Sequence, residues 1–410
     1  MNILYINHYA GSMVHGMEFR PYYLAREWIH AGHKVWIVAA AYSHLRQTNP
    51  VVNGRFLHQL IDGIRYTWCK TPTYQHNGIR RARNIFTFLY RLRGFTRHLQ
   101  SIAWRPNIVI ASSTYPLDIF QAKIIAKRFH AKLVYEVHDL WPLTLIEVGG
   151  MSRFHPFVWL LQSAQYFAYR YADQVISMVP DAKTYMMAHG MAAHKYHVVP
   201  NGVARDLWLA HKRSSFSQSS IDLTSLRQRH RFLLGYIGGH GLANALDDLL
   251  HAIAQLNDAS VGVVLVGEGP DKKALMRLAE DLALTNLYFY PAIPKKLVPD
   301  VLQQLDACYL GWKNRPIYRF GLNPNKLFDY MMAAKPILHA SPLKRDLVSE
   351  IKCGITVEAE NIEAIAQGIL AITALSLDEK EKMGRRAKRC VLKDYDYSNL
   401  AQNFLTYCSS

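Results

Sequence analysis

The feature that most limits what this 410-residue chain can fold into is a repeated alternation of short apolar runs with amphipathic helical stretches. Runs at 2–7, 34–40, 108–111, 132–137, 174–178 and 197–199 are separated by helical patterns, the first over 18–28 and stopped at Gly32. Short, continuously apolar runs read as strands covered on both faces, and the helices between them as parallel crossovers. A polar, serine-rich stretch at 211–225 then reads as a linker or excursion. A second series follows, at 232–237, 261–266, 287–290, 307–310 and 337–340. A chain this long exceeds one hydrophobic core. Two α/β domains are expected, with a cleft between them and functional loops beyond the C-terminal ends of the strands.

Composition narrows the class. Half the residues are apolar and 19% are charged, which fits a folded globular chain. Five cysteines (Cys69, Cys308, Cys353, Cys390, Cys408) are scattered without paired spacing, so neither a disulfide framework nor a zinc site is expected. The 19 histidines include no His-Glu-x-x-His spacing. Asp394-Tyr395-Asp396 has metal-like spacing but falls in the terminal helical region, away from any strand end. No metal or cofactor is expected. Met1-Asn2-Ile3-Leu4-Tyr5-Ile6 reads as a first strand and not a signal peptide. No apolar run reaches about 18 residues, so no membrane span is expected and the location is read as cytoplasmic.

The formal charge of +17 predicts attraction to a polyanion: nucleic acid, an anionic lipid surface or a phosphorylated substrate. Between Ile79 and Gln100, six arginines (Arg80, Arg81, Arg83, Arg91, Arg93, Arg97) interleave with Phe86, Phe88, Tyr90 and Phe95. Ile85, Phe88, Leu89, Leu92, Phe95 and Leu99 recur at helical spacing, giving an amphipathic helix with its arginines off the apolar stripe. That stripe packs on a sheet, and the basic, aromatic-rimmed side suits an anionic membrane surface. No zinc finger, recognition helix or RNA-binding aromatic motif appears, so nucleic acid is not the expected partner; a basic nucleic-acid-binding protein is the alternative from another class.

The segment Gly321-Leu322-Asn323-Pro324-Asn325-Lys326-Leu327-Phe328-Asp329-Tyr330 reads as a loop opening a helix. Asn323 suits the N-cap and Pro324 the first helical position. The amides of Asn325 and Lys326 would then face outward at a helix N-terminus that favours an anion, with the Lys326 charge beside them and Asp329 one turn on. Amides, a lysine and a carboxylate within one turn suit a sugar nucleotide's diphosphate and ribose; an ordinary capped helix is the competing reading. Gly235-x-x-Gly238-Gly239-x-Gly241 follows a strand and precedes a helix expected at 243–254, where Gly238 and Gly239 would let amides approach a phosphate. Gly267-Glu268-Gly269-Pro270 reads as a structural turn. His138-Asp139 ends the run at 132–137, a better site candidate than a mid-helix histidine.

These motifs resemble, in order and over essentially the whole chain, the GT-B glycosyltransferases of the large retaining family four. The likeness is carried by His15-Gly16-Met17-Glu18-Phe19-Arg20, Glu136-Val137-His138-Asp139-Leu140-Trp141-Pro142, Tyr171-Ala172-Asp173-Gln174-Val175-Ile176 and Val199-Pro200-Asn201-Gly202-Val203. In the second half it is carried by Leu265-Val266-Gly267-Glu268-Gly269-Pro270 and Asn323-Pro324-Asn325-Lys326-Leu327-Phe328-Asp329-Tyr330. Within the family the chain is similar to bacterial enzymes that extend O-antigen, capsule or exopolysaccharide units on a polyprenyl-diphosphate lipid.

The resemblance implies two Rossmann-like α/β domains: an acceptor-binding domain over 1–205 and a nucleotide-sugar domain over 206–385. A C-terminal helix within 386–410 would return to the first domain. It implies a UDP-sugar donor, a lipid-linked glycan acceptor and a place on the inner face of the membrane, with a hexosyl or N-acetylhexosaminyl group transferred. Asp329 takes the place that holds ribose hydroxyls, Gly16 lies in the loop contacting the diphosphate, and His138 contacts the transferred sugar. Glu18 and Arg20 fall in the acceptor loop. The chain also departs from the family. The first of two glutamates eight positions apart falls on Gly321, and the diphosphate-neutralising arginine and lysine appear as Gly239 and Asn244. Lys326 and the helix amides are then the expected neutralising groups, with Arg319 a further candidate. A GT-B sugar-nucleotide epimerase, lacking a lipid acceptor, is the alternative within the fold.

Overall fold

The computed structural model describes residues 1–75, 78–211 and 221–409 and divides the chain into two compact units, Met1–Pro200 with Tyr397–Ser410, and Asn201–Asp396. The expected breaks at 205/206 and 385/386 thus move to 200/201 and 396/397. Most of the stretch expected to be a linker, 212–220, lies outside the described residues.

The first unit holds one eight-stranded sheet in the order β3-β4-β2-β1-β5-β6-β7-β8. Its strands are β1 (Asn2–Ile6), β2 (Lys34–Ala40), β3 (Phe56–Ile61), β4 (Ile64–Cys69), β5 (Ile108–Ala111), β6 (Lys132–Val137), β7 (Gln174–Ser177) and β8 (Tyr196–Val198). Its helices are α1 (Arg20–His30), α2 (Ile79–Ser101), α3 (Ile119–Phe129), α4 (Leu143–Glu147), α5 (Pro156–Tyr171) and α6 (Lys183–Ala188). All pairings are parallel except β3 with β4. That hairpin, absent from the apolar-run pattern, turns on Asp62 and Gly63, both at positive φ (50° and 79°), the backbone of a two-residue hairpin turn. β3 is an edge strand with exposed residues, so it lacks the apolar run that marks the others.

The second unit holds a parallel six-stranded sheet in the order β11-β10-β9-β12-β13-β14. Its strands are β9 (Phe232–Ile237), β10 (Val261–Val266), β11 (Leu287–Tyr290), β12 (Ala307–Gly311), β13 (Ile337–Ser341) and β14 (Gly354–Glu358). Its helices are α7 (Arg205–His211), α8 (Thr224–Arg229), α9 (Leu246–Leu256), α10 (Lys272–Asp281), α11 (Val298–Gln303), α12 (Asn325–Met332), α13 (Leu347–Glu350), α14 (Ile362–Ala374) and α15 (Leu377–Asp394). Leu233 and Ile237 of β9 enter one buried cluster while Phe232, Leu234 and Tyr236 enter another. Alternate residues thus feed cores on opposite faces, which is why the strand reads as an unbroken apolar run.

The last helix, α16 (Tyr397–Ser409), belongs to the first unit, where the Trp28 indole donates to the Ala401 carbonyl at 2.9 Å and stacks edge-on against Phe404. The residues 386–394 expected to return with it are part of α15, which packs on α12 in the second unit.

In each sheet the strand order reverses once, between β1 and β5 and between β9 and β12. Open α/β sheets bind ligands at that switch point, beyond the C-terminal strand ends.

Candidate functional site

In the second unit the switch point brings together the loop after β9, the end of β12 and the start of α12. Tyr330 anchors α12 there: its buried hydroxyl accepts from the Ile237 amide at 3.0 Å, on the last residue of β9. The expected cap shifts by one residue. Pro324 is the N-cap and offers no side-chain hydrogen bond, Asn325 opens the helix, and the backbone carbonyl of Asn323 accepts from the side-chain Nδ2 of Asn201 at 3.0 Å. The first helical amides have no intrahelical acceptor, so those of Asn325 and Lys326 stay available to an anion.

Lys326 reaches back over the loop after β9. Its ammonium donates to the Tyr236 hydroxyl at 2.8 Å and to the Asn244 side-chain oxygen, and it lies 4.6 Å from the Tyr236 ring centroid and 5.9 Å from that of Trp312. All these partners are neutral. Burial without a carboxylate pushes the Lys326 pKa down to about 7. The Trp312 indole nitrogen beside it is buried and has no hydrogen-bond partner among the described residues. A cation short of an anion, an unpaired N–H and two free helix amides together can hold an oxyanion.

The glycines explain themselves here. A Cβ on Gly238 would stand 3.2 Å from Lys326 Cε and 3.1 Å from the Tyr236 hydroxyl, so the bare backbone lets the lysine lie across it. A Cβ on Gly239 would meet only the Glu268 carbonyl, at an ordinary 3.9 Å, and the Gly239 carbonyl accepts from Tyr236 and from Asn244 at 2.7 and 2.9 Å. Asn244, standing where the family lysine was expected, thus ties the loop and holds Lys326. The helix expected at 243–254 begins later, at Leu246, after a 3-10 turn at Leu242–Asn244.

Gly267 supports the loop from below at φ +151°, where a Cβ would collide with the Gly238 carbonyl at 1.9 Å. Gly267→Ala should therefore displace the Gly238 loop and destabilise the protein by at least about 1 kcal/mol, checked by chemical denaturation. An unchanged midpoint would refute the close approach.

Asp329 is buried, and its Oδ2 is paired with the Lys295 ammonium, so the carboxylate expected to meet a ribose already holds one cation. Lys295 was not singled out by the sequence because 34 positions separate the two. Lys313, at the end of β12, is the opposite of Lys326: Asp247, Asp248 and Glu360 surround its ammonium at 2.8, 2.9 and 3.8 Å. Its charge is spent on fixing the β12 loop. Arg319 lies exposed on a 3-10 turn (Pro316–Phe320), its guanidinium 4.4 Å from the Phe320 ring. His240 is fully buried with both ring nitrogens unpartnered, and burial pushes its pKa down to about 4, leaving a neutral ring under the loop.

In the first unit the reversal lies between β1 and β5, next to the end of β6. Glu136 sits there in complete burial and accepts from Tyr5 and Ser112 hydroxyls, each at 2.5 Å, and from Arg20 Nε at 2.9 Å. Burial alone would raise its pKa; the Arg20 charge and the bonds from His138 and Ser112 hold it well below the carboxylate range. His138 turns Nε2 toward the same group, 2.8 Å from Ser112 Oγ and 3.4 Å from Glu136. Burial lowers the imidazole pKa, but Glu136, with Glu18 further off, outweighs it and raises the value. Ser112 donates to Glu136, so His138 Nε2 donates to Ser112, and Nδ1 has no partner among the described residues.

Arg20 corrects an expectation. Assigned to the acceptor from its loop, it is 1% exposed, and its guanidinium also donates to the carbonyls of Pro200 and Val199 at 2.6 and 2.8 Å. It is a structural clasp, each of its three guanidinium nitrogens already engaged by a buried acceptor. Glu18 is half-buried and accepts from the Arg20 amide at 3.4 Å. Gly16, at φ +88°, closes a turn in which its amide donates to the Ser12 carbonyl at 2.8 Å, so that amide is not available to a diphosphate. Arg46, which the sequence did not mark, binds the carbonyls of His8, Ala10, Ala40 and Ala41 and so fixes this loop. Among the described residues no group of three or more His, Cys, Asp or Glu side chains is placed to hold a metal.

Comparison with known proteins covers both units. Residues 15–202 match the model of a glycosyl transferase 4-like domain and residues 231–374 that of glycosyl transferases group 1. The chain is 22% identical over 412 aligned positions to the putative colanic acid biosynthesis glycosyl transferase WcaI of Escherichia coli (strain K12), covering 98% of this chain and 95% of that one. Among solved structures, HepE of Anabaena in complex with UDP-glucose aligns at TM-score 0.67 and 15% identity, covering 100% and 99% of the two chains. Sucrose-phosphate synthase of Thermosynechococcus elongatus aligns at TM-score 0.71 and 14% identity, covering 99% and 98%. At these identities the structures establish the GT-B fold.

Proposed function

The chain is a glycosyltransferase of group 1 with a glycosyl transferase 4-like N-terminal domain, and we propose that it is a retaining enzyme of cell-surface polysaccharide assembly, moving a sugar from a UDP-sugar to a lipid-linked glycan. The observation that carries the donor half is the Lys326 ammonium, held by neutral partners alone at the β9/β12 switch point beside two open helix amides and the Trp312 N–H. That arrangement suits a diphosphate, and the UDP-glucose bound by HepE supports the choice of nucleotide. Asp329 and Lys295 are assigned to the ribose, Asn323 and the Gly238–Gly239 backbone to the same ligand, and His138, with Glu18 beside it, to the sugar and acceptor. The reading of WcaI as a colanic acid enzyme supports an exopolysaccharide product.

In the proposed reaction the bond from the sugar's anomeric carbon to the β-phosphate oxygen breaks, and a bond to the acceptor oxygen forms on the same face. The acceptor's proton passes to the departing phosphate. Lys326 and the α12 amides act where negative charge grows, on the leaving diphosphate, which is where fixed dipoles lower a barrier. The acceptor is placed at the cytoplasmic face of an anionic membrane, to which the arginine-rich α2 gives charge complementarity. No helix among the described residues is long and apolar enough to cross a membrane.

The test is a panel of UDP-, GDP- and dTDP-sugars, incubated with membrane-extracted acceptor and followed by nucleoside diphosphate release and by NMR of the product anomer. UDP release with retained configuration is expected; an inverted product would overturn the mechanism, and release from another nucleotide alone would overturn the donor.

A further inference from the structure

The helices that cover one face of the first unit's sheet carry almost no negative charge. Residues 63–172 contain 15 arginines and lysines against four acids, Asp118, Glu136, Asp139 and Glu147. Asp118 and Glu136 are buried, while Asp139 and Glu147 lie between β6 and α5, so α2, α3 and α5 themselves have none. These three helices lie on one side: α3 and α5 are successive right-handed crossovers between the neighbours β5, β6 and β7, and α3 packs against both α2 and α5.

What this layer turns outward is unusual for a solvated face. On α2 the exposed stripe runs Arg83, Phe86, Tyr90, Arg93, Arg97 at helical spacing, with Phe86 47% and Tyr90 65% exposed. The inward stripe of the same helix (Ile85, Phe88, Leu92, Phe95, Leu99) is fully engaged in the core, so the outer aromatics are not needed for packing. On α5 the outward stripe is Trp159, Ser163, Tyr166, Arg170, with Trp159 59% and Tyr166 47% exposed. Ile124, Lys127 and Arg128 of α3 stand exposed between them. Three rings with one polar edge (Tyr90, Trp159, Tyr166) and the apolar Phe86, set among cations and no carboxylates, match a headgroup region: phosphates outside, acyl chains within reach of the rings.

We propose that the whole α2–α3–α5 layer lies flat on an anionic bilayer, with Trp159 and Tyr166 of α5 acting as anchors equal to Phe86 and Tyr90 of α2. The proposal deepens the membrane placement made above and rests on it only for its purpose, since lipid binding can be read without any sugar. Helices lying flat set the strand axes roughly along the membrane plane. The His138 end of the sheet then stands one helix layer, roughly 10 Å, above the headgroups, where a diphosphate-linked acceptor presents its first sugars.

The test uses the full-length protein in sedimentation with vesicles of phosphatidylcholine containing phosphatidylglycerol, against phosphatidylcholine alone. The wild type should bind the anionic vesicles selectively. The Trp159→Ser/Tyr166→Ser and Phe86→Ser/Tyr90→Ser pairs should each weaken binding at least about tenfold. The triple charge reversal R83E/R93E/R97E should weaken it roughly a hundredfold or more. All variants should keep wild-type melting temperature and UDP affinity. Loss in the α2 pair with none in the α5 pair would overturn the layer and leave a single docking helix. Equal binding to both vesicle types, or a wild-type dimer that dissociates on Trp159→Ser without any vesicle binding, would overturn it outright. Absence of UDP binding by a protein that still binds vesicles would count against the donor reading alone.

Discussion

Lys326→Met should leave the fold intact and lower UDP affinity about 10- to 100-fold, the value of one charge-assisted hydrogen bond lost from a site where Lys295 and Lys313 are already paired with carboxylates. Turnover should fall further, by about two to three orders of magnitude, because the charge on the leaving diphosphate grows in the transition state. The reason lies in the neighbours: Tyr236, Asn244 and Trp312 orient the ammonium but do not neutralise it, whereas Lys313 close by is already surrounded by three carboxylates. Lys326→Arg should recover part of the affinity. A second signature is pH. Because burial lowers the Lys326 pKa to about 7 in the free protein, UDP binding should weaken as pH rises through that value, and the dependence should vanish in the methionine variant. The same depressed pKa means the folded apo protein binds this proton less readily than the unfolded chain. Its contribution to stability should therefore increase between about pH 7 and the ordinary lysine value. Calorimetric titration of UDP across this range decides the matter; an unchanged Kd in Lys326→Met would remove the lysine from the donor site.

Arg20→Ala should be among the most destabilising substitutions in the chain. It leaves the Glu136 carboxylate buried beside two hydroxyls with only the His138 imidazole, 3.4 Å away, in place of a permanent countercharge, and it strips donors from the carbonyls of Val199 and Pro200. Removing one partner of a buried ion pair costs about 3–5 kcal/mol. For a unit of this size that is a drop of roughly 10 °C in melting temperature. Arg20→Lys should recover little, since an ammonium cannot reach Glu136 and two carbonyls at once. A residue whose task was to bind acceptor would behave differently, lowering affinity while the melting temperature held. Differential scanning calorimetry separates the two outcomes. The Glu136 carboxylate, held well below its usual range, stabilises the fold above the unfolded pKa near 4, and that contribution is lost as pH falls below it.

The contrast between these two residues shows what was legible in the sequence. Strands buried on both faces announce themselves as apolar runs, so β1, β2, β9 and β10 are readable directly, and the switch points follow from topology rules. β3 and β4 are not, because an edge hairpin with exposed positions has no such run; the Asp62-Gly63 pair was its one local signal. Lys326 was readable because its charge and its helix start lie within a few positions, whereas its neighbours Tyr236 and Asn244, 90 and 82 positions away, were not. The partner of Arg20 is 116 positions away, and a charged residue next to a loop reads as exposed until the fold supplies Glu136. Lys295 is hidden for the same reason, its partner lying 34 positions away. The cap at Asn323 was misplaced by a single residue, which moves no functional group out of reach but transfers the cap role to a proline without a side-chain acceptor.

The route of the chain carries its own consequence. Because Tyr397–Ser410 belongs with Met1–Pro200, everything from Asn201 to Asp396 is an interruption within one unit and not a sequel to it. During synthesis the middle of the polypeptide can fold as soon as it emerges, while the portion made first must wait for the portion made last. Until α16 arrives, Trp28 lacks its carbonyl partner at Ala401 and its ring neighbour Phe404. A nascent chain halted shortly after Asp396 would therefore hold a finished second unit and an unsealed first unit, and a clipped C-terminus would injure the part of the protein farthest from it in sequence.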